Sequence, residues 1–74
     1  MNRATYSTAR YHDGVTWIAR HEIADDLETL AQLPTVRLLA ALFHRQPEHV
    51  AHAVAYEAYL LRARGRREAT EQSG

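Results

Sequence analysis

From residue 36 to residue 45 the chain is apolar nearly all the way round a helix. Val36, Leu39, Ala40 and Phe43 share one face, and Leu38 and Leu42 lie beside it. A helix of that kind needs neighbours on several sides, so it is expected at the centre of the fold with the rest of the chain covering it. Gln46-Pro47 makes a very short connection to a second helix, 47–64. Pro47 and Glu48 suit its first turn, and Arg62 and Arg64 before Gly65 read as its close. Val50, Ala53, Val54, Ala58 and Leu61 form its inward stripe.

Only 74 residues are available to cover this pair. A single domain of that size draws about 3–5 kcal/mol of net stability from its core. There is no cysteine, so neither a disulfide nor a thiolate zinc site can supplement it. Because 46% of the residues are hydrophobic and these fall in periodic segments, a folded chain is expected rather than a disordered one. The domain is assigned to residues 1–65. Residues 66–74 contain no large apolar side chain and are expected to be a disordered basic and polar tail.

Residues 5–11 and 15–20 are rich in aromatic and β-branched types and flank His12-Asp13-Gly14. Asp-Gly between two such runs is a strong hairpin signal, so an antiparallel β-hairpin is expected, with Tyr6 opposite His21 and Trp17 as its docking anchor. A short helix should follow, with Asp25 and Glu28 at the spacing of a capping box and Leu27, Leu30 and Ala31 as its apolar stripe. Leu33-Pro34-Thr35 ends it. The fold class read from these elements is α+β: an N-terminal β-hairpin packed on three α-helices, the last two forming a short-turn helical pair.

Charge and targeting signals limit function. Net charge is zero, but Glu22, Asp25, Asp26 and Glu28 lie in the middle of the sequence while Arg62, Arg64, Arg66 and Arg67 lie near its end. No apolar run approaches a membrane span and the N-terminal residues lack the apolar core of a signal peptide, so a cytoplasmic protein with no membrane association is expected. All nine basic residues are arginine, which together with abundant alanine points to a GC-rich bacterial or phage coding sequence. With Ser7 and Ser73 as the only serines, and with every acid of the 25–28 cluster explained by capping, no catalytic constellation or small-molecule substrate is expected. His44, His49 and His52 with Glu48 could surround a metal ion. HExxH spacing and cysteine are absent, however, and no metal or cofactor is expected.

Two surfaces stand out. His49, His52, Tyr56, Tyr59 and Ala63 recur at intervals of three and four, and Arg62 continues the same side. Tyrosine and histidine present an apolar body and a polar tip, a combination suited to binding another protein or a second copy of the chain. The leading expectation is a small accessory or inhibitor protein acting through this stripe. The second surface is the run 42–54, which with Ala40 resembles the helix-turn-helix motif of bacterial DNA-binding proteins. In that motif an alanine at the place of Ala40 lets the helices approach, and apolar residues at the places of Val50 and Val54 seat the recognition helix. His44 occupies the turn position usually filled by glycine. The resemblance implies a transcriptional regulator, with Gln46, Glu48, His49 and His52 toward the groove and Arg45 on phosphate, and Arg62, Arg64, Arg66 and Arg67 add further positive charge for it.

Overall fold

The computed structural model describes the backbone of residues 3–73 and the side chains of residues 8–67. The described chain forms four helices, α1 (Arg3–His21), α2 (Leu27–Gln32), α3 (Pro34–Leu42) and α4 (Pro47–Ser73), and contains no strand. The expected β-hairpin is absent, and the fold is all-α rather than α+β. Tyr11, Val15 and Ile18 follow one another at intervals of four and three, the helical repeat. Val15 and Ile18 are buried and Tyr11 is partly buried on the same side.

Gly14 explains why Asp-Gly is not a turn here. It sits inside α1 without a positive φ, and a Cβ built on it would lie 2.9 Å from Leu39 Cδ1. The glycine lets α1 lie close against α3, the second common use of a residue without a side chain. Trp17 is not the docking anchor. It stays 52% exposed and stacks at 4.8 Å on His21, one turn along. Ile18 takes the inward position instead.

The remaining core comes from the helical pair and α2. Leu30, Val36, Leu39, Ala40, Val50 and Val54 are buried together with the α1 residues. Leu38 and Leu42 remain 60% and 63% exposed, so α3 is covered on one side only. Two polar ties hold α1 in place. The Thr16 hydroxyl lies 2.9 Å from Glu57 Oε1 on α4, with the His12 carbonyl oxygen at 3.0 Å as its alternative acceptor. Near the end of α1, the Thr35 hydroxyl donates to Glu22 Oε1 at 3.2 Å.

The N-cap of α2 is Asp26, not Asp25. Its Oδ1 accepts from the Thr29 amide at 2.7 Å, and that bond holds its carboxyl below the ordinary aspartate range. Glu28 is therefore one position short of the place a capping box requires. α4 does not close at Arg64. It continues through Gly65 to Ser73, so the backbone of residues 66–73 is helical where a tail was expected; Gly74 and the side chains of residues 68–73 lie outside the described residues. Arginine, glutamate and alanine, which dominate this stretch, are good helix formers, and Gly65 does not take the left-handed conformation that would end the helix.

The turn between α3 and α4 has a defined geometry. His44 has φ 55°, Arg45 N–H donates to Ala40 O at 2.8 Å, and His44 N–H approaches Ala41 O at 3.4 Å. This is the six-to-one and five-to-two pattern of a Schellman cap, with histidine in the left-handed position that glycine usually fills. Replacing His44 by glycine should relieve backbone strain and stabilise the fold by about 1 kcal/mol, read as a rise in Tm of roughly 4–8 °C. An unchanged or lower Tm would show that the turn is not left-handed. Gly14→Leu should act in the opposite direction. Although leucine favours a helix, displacement of Leu39 should dominate and lower stability by about 1–3 kcal/mol in denaturant titration.

Candidate interaction surface

α4 presents two chemically different sides because its apolar residues recur at the helical period. Val50 and Val54 face α1, α2 and α3 and are fully covered, with Leu61 partly covered two turns beyond. The opposite side carries His52, Tyr56 and Tyr59. Tyr56 is 64% exposed, Tyr59 57%, and both histidines of the stripe are exposed. The two histidines diverge at its beginning. The His49 ring is 6.3 Å from Tyr11 of α1, whereas His52 borders a shallow depression shared with α2 and Arg37. Tyr59 and Arg62 meet at the other end, where they line a shallow surface with Gly65 and Arg66.

Glu57 decides the charge of this side. Between residues 49 and 67 it is the only carboxylate in the sequence. Its side chain is 16% exposed, turned to Thr16 and 3.5 Å from His12 Nε2. The outward stretch is left with exposed Arg62, Arg64, Arg66 and Arg67 and no acid among them. The inward turn of Glu57 depends on α1 being a helix, which no local pattern in α4 could reveal.

The residues of the DNA-binding resemblance also have definite places. Ala40, Val50 and Val54 are all buried at the α3–α4 contact, and Gln46 is exposed in the turn. The Arg45 guanidinium lies over the Tyr11 ring, 5.4 Å from its centroid, so it is engaged with α1 as well as exposed. Tyr11 also meets the Phe43 ring edge-on at 5.7 Å. Its hydroxyl is buried with no hydrogen-bond partner among the described residues, and burial pushes its pKa up against the opposing influence of Arg45. Sequence reasoning misses this aromatic clasp, because a strand over 5–11 gives no reason for Tyr11 to meet the turn.

No three histidine, aspartate or glutamate side chains among the described residues converge as a metal-binding group, and no described helix is long and apolar enough to cross a membrane. Comparison with protein-family models, curated proteins and solved structures finds no match for this chain.

Proposed function

We propose that this chain is a small non-enzymatic protein-binding module of bacterial or phage origin, an accessory or inhibitor protein of the cytoplasm, whose contact surface is the outward side of α4. The observation that carries this reading is the exposure of Tyr56 and Tyr59 on a helix side from which Glu57 has been withdrawn. Exposed tyrosines supply large contact area at low conformational entropy, and they are enriched among the residues that dominate interface energies. Arg62 and the arginines after it add positive charge, so the partner that fits is a protein with an acidic surface. His49 and His52 extend the contact toward the turn.

A second reading is favoured by the turn itself. His44 adopts the left-handed conformation that helix-turn-helix turns use, and Ala40, Val50 and Val54 occupy the packing positions of that motif. Under this reading α4 would enter the major groove, with Arg45 and Arg62–Arg67 contacting phosphate. Histidine and tyrosine are weaker base readers than arginine or asparagine, and Glu48 stands in the first turn of the helix. Protein binding therefore leads.

The Tyr56→Ala/Tyr59→Ala double variant separates binding from folding. Helical circular dichroism should be preserved while affinity for a captured partner falls by roughly ten-fold or more. Unchanged affinity would remove the tyrosine surface. Titration of labelled protein with mixed-sequence duplex DNA tests the other reading. Amide shifts across residues 45–52 and 62–67 that fade with added salt would put DNA first, whereas an unperturbed spectrum would leave protein binding alone.

A further inference from the structure

A second surface adjoins the first on the flank of α4, and Arg62 borders both. Ala55, Ala58 and Leu61 of α4 and Leu30 of α2 form part of the lining of a cleft of about 640 Å³, closed on its other side by the end of α1 and residues 22–27. Its apolar rim is unusually open: Ile23 is 94% exposed and Leu27 38%. The two walls differ in charge. The wall formed by the end of α1 and its connection to α2 carries Arg20 together with Glu22, Asp25 and Asp26 and is net acidic, whereas the α4 wall carries Arg62. No ion pair among the described residues joins Arg62 to those acids. One turn beyond, Gly65 has open space where a side chain would project, so a second backbone can come close to α4 there.

We propose that this cleft is a self-association surface, occupied by the arginine-bearing part of α4 from a second copy of the chain. The argument rests on complementarity within one protomer. An acidic wall and a basic wall stand side by side, so a two-fold axis through the cleft brings the α4 wall of each copy against the acidic wall of the other. Such an isologous contact closes at two copies and satisfies both walls at once. It would also cover Ile23 and Leu27, which a single copy leaves in water, and extend a core that comprises nine buried residues among those described. Tyr56 faces away from this contact and stays exposed in the dimer, whereas Tyr59 borders Arg62 at its edge.

Sedimentation equilibrium of the full chain tests the proposal. At low salt the mass should approach twice the 8.4 kDa of the monomer, and dissociation should increase as salt is raised through about 50–300 mM, where exposed charges are progressively screened. Arg62→Glu and Asp25→Arg should each raise the dissociation constant by roughly ten-fold or more. An equimolar mixture of the two variants should regain association through the one pairing in which both charges are opposite. A monomer at every concentration and salt would overturn the proposal. So would a dimer indifferent to salt and to both charge reversals, or a mixture of the two reversed variants that fails to recover.

Discussion

The approach of Gly14 to Leu39 is the contact on which the arrangement depends. Without a side chain at residue 14 the Leu39 methyl groups keep their place against α1, and Val15 and Ile18 join Val36, Val50 and Val54 in one core. The core of this small protein is a three-sided meeting of α1, α3 and α4, with Leu30 of α2 completing it. Because the glycine is in the interior of a helix, it lowers the intrinsic helix preference of α1 by roughly 1 kcal/mol relative to alanine. Close packing is what offsets that loss. The same placement turns Trp17 outward and leaves it to stack on His21.

From that contact follows the electrostatic character of the long helix. With α1 helical, Thr16 and His12 fall on the side facing α4 and receive the Glu57 carboxylate. An acid that would otherwise interrupt the outward side is thereby turned inward. A run of tyrosines and arginines remains outside up to residue 67, while four of the nine acidic residues, Glu22, Asp25, Asp26 and Glu28, cluster around the junction of α1 and α2. The zero net charge conceals this separation. Both proposed contacts of α4 rest on that separation, and Arg62 borders each of them.

The helical pair was legible because its signals are local. Proline opens both α3 and α4, and Val36, Leu39, Ala40, Val50 and Val54 recur at helical intervals. The same periodicity puts Tyr56 and Tyr59 on a stripe beside the core-facing one but does not decide whether they cover the edge of the core; both are exposed. The N-terminal third was misread because Asp13-Gly14 between aromatic and β-branched runs fits a hairpin turn as well as a helix, and only the tertiary contact with Leu39 distinguishes them. Asp25 and Asp26 are adjacent and chemically alike, so the choice of cap depended on which one reached the Thr29 amide. Gly65 suggested a helix end, but a glycine ends a helix only when it takes the left-handed conformation, which this one does not.

The most direct test of the central claim is a nuclear Overhauser spectrum of the labelled protein across residues 11–18. Helical carbon shifts through this segment are expected, with cross-peaks between the Gly14 α-protons and the Leu39 methyl groups and between Thr16 and Glu57. Extended-strand shifts on either side of Asp13-Gly14, with cross-strand contacts from His12 to Val15 and no contact to Leu39, would contradict the helical α1 and with it the account of both surfaces of α4.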